Sequence, residues 1–223
     1  MRLTSEDHAK VSAAVTAAER SSDGEIVTIV AGRSDRYDDI ALLYAGLAML
    51  VPPLVLAALP VAVIDTALSP LAGWNSEVGH GVALLMLVAL QILAFLLARL
   101  LLASLPLRMA LTRPSTKSRR VHARAIELFR ASAERRTIGR TGVLLYLSLA
   151  EHRAEIMADA AIHSRVDADV WGAAMAALIG EVKEGRPGDG MANAVEQIGI
   201  VLSQCLPKTV ADTNEIPDKL IEL

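Results

Sequence analysis

Lys and Arg are absent from a stretch of 62 residues, Tyr37 to Ala98, and the 42 residues after it hold eleven. Aromatic residues make up only 3% of the chain although 53% is apolar, so the excess lies in Ala, Leu and Val. It crowds into residues 40–111, the pattern of a membrane insert rather than of an oily globule. The single cysteine, Cys205, excludes an intrachain disulfide and reads as a buried thiol on an apolar helical face. Residues 1–10 are polar and the first apolar run begins late, so no secretory leader is visible. There is no GxSxG elbow, phosphate-cradling GxxxxGK loop, CxxC pair or HExxH helix. His8, His80, His122, His152 and His163 show no metal-ligand spacing and read as solvated imidazoles.

Two uncharged runs, Ile40–Ile64 and Val78–Ala98, occupy the stretch without cations. The first, as a helix, is about 37 Å long, enough to cross a bilayer with some tilt. Pro52-Pro53 should kink it, because two amide donors are lost in mid-helix. A re-entrant segment is the alternative, and it requires protein to cover the opened backbone. Residues 65–81 form a short polar loop with Trp74 suited to the interface. The second span covers about 79–102, with Arg99 able to snorkel at its end. Core helices of a soluble protein would be amphipathic, and these runs show no polar face. The cation bias that follows places both chain ends on the cytoplasmic side of an inner (plasma) membrane.

Residues 99–140 carry a local charge of +9, and residues 141–223 one of −7. Arg113, Lys117, Arg119, Arg120 and Arg124 are expected to meet anionic lipid headgroups, at about 1 kcal/mol each. A plain positive-inside anchor without lipid specificity is the alternative. The acidic C-terminal half argues against a nucleic-acid partner.

The remaining chain, roughly 150 residues, is long enough for a proper core. Thr4 with Asp7 forms a capping-box pattern before a helix over 5–20. Residues 25–31 (EIVTIVA) and 143–149 (VLLYLSL) are apolar on both faces, as strands covered from both sides are. Residues 154–159 alternate, which suits an edge strand in a hairpin. A helix is expected over 121–136, and two amphipathic helices, striped by Trp171, Met175, Leu178 and Val182 and by Met191, Val195, Ile198 and Leu202, close the domain. Strand one cannot fold without neighbours. The expected organisation is therefore one domain in two parts, 1–36 and 121–207. A transmembrane hairpin over 37–107 interrupts it, with a basic linker at 108–120 and a polar, extended tail at 208–223.

The blocks SSDGEIVTIVA (21–31), TGVLLYLSLAEHRAEIMADAAI (141–162) and the closing helix ending in CLP (205–207) resemble the TPM-domain family. The resemblance extends to bacterial members with a membrane hairpin inside the domain and an ending like NEIPDKLIEL (214–223). It implies an α/β fold, an αβα sandwich interrupted by the two-helix hairpin. It also implies weak phosphatase activity with divalent cations in some members and accessory roles at membrane complexes in others. Two departures are visible: Asp159-Ala160-Ala161 stands where many members have a glycine-rich turn, and many members are extracytoplasmic.

Glu25, Asp159, Asp167 and Asp169 are the carboxylates best placed to hold Ca²⁺ or Mg²⁺, which take several oxygen ligands near strand ends. The competing reading is structural, with Asp167 or Asp169 capping the Trp171 helix. Asp167-Ala168-Asp169 is not an aspartyl-phosphate motif, because His163, Ser164 and Arg165 precede it instead of an apolar strand. Ser148, inside a strand, is a poor nucleophile. Two functions follow as expectations. One is an accessory or scaffold domain acting through a membrane-protein partner or self-association; the other is a cation-dependent phosphohydrolase.

Overall fold

A computed structural model describes residues 3–71, 79–132, 141–166, 170–209 and 216–223. In chain order the elements begin with α1 (Ser5–Glu19), β1 (Glu25–Ala31), α2 (Asp38–Ala48), α3 (Val51–Ala58) and α4 (Val61–Leu68). Next come α5 (His80–Leu101), α6 (Leu105–Leu111), α7 (Pro114–Ser132), β2 (Gly142–Ser148) and β3 (Arg153–Ala158). The chain closes with α8 (Ala160–His163), α9 (Trp171–Lys183), α10 (Pro187–Cys205) and β4 (Ile221–Glu222). They divide into two units, Met1–Asp35 with Pro114–Leu223, and Arg36–Arg113.

The first unit is a mixed α/β fold around a four-stranded sheet of order β3-β2-β1-β4. β1 runs parallel to β2 over seven residues, Glu25↔Gly142 to Ala31↔Ser148, and β3 returns antiparallel to β2. Every residue of β1 and β2 is buried, which is why both read as unbroken apolar runs. Alternation splits them between two cores. Ile26, Val30, Val143, Leu145 and Leu147 face α1, α9 and α10, among Val15, Leu178 and Ile198. Val27, Ile29, Leu144 and Tyr146 face α7, among Val121, Ala125 and Phe129. Each fully buried Val, Leu or Ile contributes about 1.5–3 kcal/mol relative to exposure.

The ends of the elements follow local chemistry. The Thr4 hydroxyl accepts from Asp7 N at 3.2 Å and Asp7 Oδ2 accepts from Thr4 N at 2.8 Å, so the capping box closes α1. Gly185 (φ 83°) turns the chain from α9 into α10, in a backbone region that favours glycine. α7 begins at Pro114, not at 121, so the expected linker 108–120 is mostly helix. Proline suits a first helical turn, where its missing donor is not needed. The expected polar tail is also corrected. Ile216 and Leu220 are buried, and β4 pairs in parallel with β1. Cys205 is half-buried rather than buried.

In the second unit, α2 and α3 pack on α5, with Ala41 and Ala45 buried. The first apolar run is broken twice. At Met49 and Leu50 the helix tightens, with Met49 N bonding Gly46 O and Leu50 N bonding Leu47 O, just before Pro52-Pro53 enters the first turn of α3. It stops at Leu59 (ψ 144°), because the residue before Pro60 is pushed out of the helical region. Asp38–Ala58 and His80–Leu101 are each long and apolar enough to cross a membrane, by length and composition. No residue of α5 is buried, and Leu85 and Leu100 are more than two-thirds exposed. Arg108 ties the unit's start to its end. Its guanidinium donates to Arg36 O and Asp38 Oδ1 at 2.6 Å each and to Ala103 O at 3.2 Å.

Candidate functional site

Two of the four expected carboxylates come to one end of the sheet, where β1 and β2 begin. Glu25 pairs in register with Gly142. Asp159 follows β3, and its Oδ2 accepts from Gly142 N at 3.0 Å while its own N donates to Gly142 O at 3.0 Å. Both acids are buried, 4% exposed each. Glu25 Oε2 accepts from Ile216 N at 3.3 Å, so the C-terminal segment closes over it. Asp167 and Asp169 lie outside the described residues, as does Trp74. Among the described residues, no three His, Cys, Asp or Glu side chains are grouped to share an ion.

A third acid joins this end with only a faint signal in the sequence. Glu19, the last residue of α1, is 7% exposed and its Oε1 accepts from Ile26 N at 2.8 Å. Burial, with the charges of Glu25 and Asp218 and a hydrogen bond to Asp218, pushes its carboxyl up to about 8. Asp218 Oδ2 in turn accepts from Thr16 Oγ1 at 2.6 Å, and Lys208 Nζ donates to Glu19 O at 3.1 Å. The one cue was an acid in a last helical turn, where the helix dipole disfavours negative charge.

The opposite end of the same strands carries a hydroxyl–carboxylate network. The Ser34 hydroxyl and the Tyr146 hydroxyl are 2.9 Å apart, Ser34 N donates to Glu151 Oε1 at 3.1 Å, and Ser148 Oγ donates to Glu151 Oε2. Burial raises the Tyr146 hydroxyl above its ordinary value, against the opposing hydrogen bonds of Ser34 and Ser148. Ser148 is fully buried, which suits it to bracing Glu151 and not to attacking a substrate.

The five expected lipid-contacting cations are not equivalent. Arg120 is spent on Asp35 (3.1 Å) and Arg124 reaches Glu127 (3.0 Å). Arg113 and Arg119 are exposed and Lys117 is half-buried. Lys117, Arg120 and Arg124 follow a helical spacing on α7, beside its buried residues Val121 and Ala125.

Residues 108–201, from α6 into α10, match the TPM domain. The structure is similar to the NMR structure of BA42 protein from the psychrophilic bacterium Bizionia argentinensis. The TM-score is 0.56 at 16% identity, over 100% of this chain and 97% of that one. At that identity the likeness concerns the fold alone. No curated protein matches the sequence.

Proposed function

We propose that this chain is a membrane-anchored protein with a TPM-like domain, acting as an accessory or scaffold through protein contacts at the cytoplasmic face of an inner membrane. The observation that carries it is α5, 22 residues long with none buried, followed by basic residues of which Arg113 and Arg119 stay exposed. Such a helix in water would leave a large apolar surface exposed, and in lipid that surface is satisfied. The first unit is built from chain on both sides of the insert. Two spans return the chain to the side it left, so an αβα domain interrupted by a hairpin is topologically consistent. Arg113, Lys117 and Arg119 contact lipid headgroups in this reading. Alkaline extraction and protease protection of inverted vesicles test the anchor; a protein released by alkali ends it. Crosslinking in native membranes followed by capture tests the partner role, and recovery of background proteins alone would count against it.

A second reading, a hydrolase of phosphomonoesters dependent on Ca²⁺ or Mg²⁺, draws support from the placement of two buried acids, Glu25 and Asp159, at the same end of the sheet. With Asp167 and Asp169 they would hold the cation, which polarises a phosphoryl group and activates water. Calorimetric titration with either metal, and hydrolysis of a generic phosphomonoester across pH, test it. No heat and no turnover would remove it.

A further inference from the structure

The second unit contains a space that its own helices do not fill. α2 and α3 pack on α5, but the chain turns at Leu59 and Pro60 and α4 leaves that packing. Between α4 and α5 lies a cavity of about 800 Å³. One wall runs from Leu59 to Ala67, and the other is α5 from His80 through Ala83 to Leu93. Among the described residues that line it, only His80 carries a polar side chain. His80 is exposed at the first turn of α5, and no hydrogen bond or ion pair joins it to another described residue.

The walls are hydrocarbon, and an apolar cavity stays dry and takes apolar matter. Left empty, it would cost its lining atoms their dispersion partners. Its shape narrows the choice of occupant. From His80 to Leu93 is thirteen residues of helix, about 20 Å. That is the depth of one leaflet with its headgroups, about 20 Å. Spread over this length, the volume gives a cross-section of about 40 Å², well under that of a helix about 10–12 Å across. A helix would therefore lie over the mouth and leave the depth unfilled, whereas a flexible chain reaches in. The single polar side chain stands at one end, where an amphiphile carries its headgroup.

We propose that this cavity is a phospholipid site, with one acyl chain lying between α4 and α5 and the His80 imidazole donating to a phosphodiester oxygen of the same lipid. The site is at the loop end of the hairpin, so the lipid belongs to the leaflet away from the chain ends. The inference rests on the membrane-anchor reading and deepens it by naming a ligand and its contacts.

The test uses the full chain in phosphatidylethanolamine–phosphatidylglycerol vesicles, with a phosphatidylglycerol that bears a photoactivatable diazirine on its acyl chain. Adducts are mapped by peptide mass spectrometry, with alkaline extraction of the same vesicles. Expected is labelling of Ala83 and Leu87 above that of Leu85 and Ile92, which do not line the cavity. Ala83→Phe and Ala67→Phe fill the space from opposite walls with bulk that lipid tolerates, and each should remove the excess. His80→Ala should lower it about twofold to tenfold, as the loss of one hydrogen bond does, and His80→Gln, which keeps a donor, should stay near wild type. Release by alkali means that the anchor reading has failed. Retention with even labelling of both faces is ordinary boundary lipid, and it overturns the proposal while leaving the anchor intact. An excess that persists in both filled variants, or is unchanged in His80→Ala, overturns it as well.

Discussion

Glu19 Oε1 accepts a hydrogen bond from Ile26 N at 2.8 Å, joining the last residue of α1 to the second residue of β1. The bond spans the turn at residues 20–24 and lies beside the C-terminal segment, through Asp218. The end of α1, the start of β1 and the distant C-terminal segment therefore meet at one buried carboxyl. Protonated, it donates to Asp218 while accepting from Ile26. Ionised, it adds a charge where Glu25 and Asp218 already stand.

This makes stability depend on pH with a definite sign. The Glu19 carboxyl is raised from 4.5 to about 8 in the fold, so the native state holds a proton that the unfolded chain loses. The contribution is fully present below about pH 4.5 and is lost as pH rises through about 8. The change is on the order of a few kcal/mol. Gln at this position keeps the acceptor for Ile26 and supplies a donor to Asp218. Denaturant midpoints of wild type should fall between pH 5 and 9, and those of Glu19→Gln should stay level and higher at pH 9. Equal slopes for the two proteins would show that Glu19 is not the group responsible.

Arg108 should hold the base of the second unit. One side chain, 11% exposed, satisfies the carbonyls of Arg36 and Ala103 and the Asp38 carboxylate. Hydrogen bonds to charged groups contribute about 1.5–3 kcal/mol each where they are shielded. Arg108→Ala should open the ends of this unit to trypsin at Arg36 and Arg113. Arg108→Lys keeps the charge but loses the planar fork that serves several acceptors, so it should rescue only part of the protection. Cleavage rates equal to wild type in the Ala variant would leave the clamp without a role.

The parts legible in sequence were those with dense signals. β1 and β2 showed themselves because both their faces are buried, and the Thr4–Asp7 box because capping is local. The tail was misread because Ile216, Leu220 and Ile221 are isolated apolar residues in a polar segment; only the exposed edge of β1 gives them a destination. The start of α7 was missed because the residues from Pro114 to Arg120 carry no apolar period and are helical through their continuity with the Val121 face. Of the site, Glu25 and Asp159 were recognisable as carboxylates near strand ends. Their placement at one end of the sheet, on either side of Gly142, depends on strand register, and the involvement of Glu19 depends on the tail, so neither could be read from spacing.

The tail should therefore be a structural element. Leu220 is 6% exposed in the core shared with α1 and α10, and Leu223 N donates to Val30 O at 2.9 Å. Leu220→Ala should cost about 2–4 kcal/mol, the range for a buried Leu truncated to Ala. Removing residues 216–223 should go further, because it strips the unpaired edge of β1 and invites edge-to-edge aggregation. Light scattering and unfolding midpoints of the two variants would show this. A truncated chain that stays monodisperse and as stable as wild type would restore the view of the tail as an appendage.

Gly199 lets α10 pack closely against α1 at Ala18. A Cβ there would meet Ala18 Cβ at 2.6 Å and Ala18 Cα at 3.1 Å, so one of the two helices would have to shift. Alanine in place of a helical glycine gains about 1 kcal/mol of helix propensity, whereas overpacking a rigid contact costs about 1–3 kcal/mol. The second effect should win in Gly199→Ala, because the atoms it meets are a methyl and backbone that have no rotamer to escape into. Ala18→Gly alone should lose propensity and packing. Combined with Gly199→Ala it should recover stability, giving a coupling energy of about 1 kcal/mol or more, as contacting pairs show. Strict additivity of the two changes in thermal or denaturant unfolding would mean that these helices are not held at the separation described.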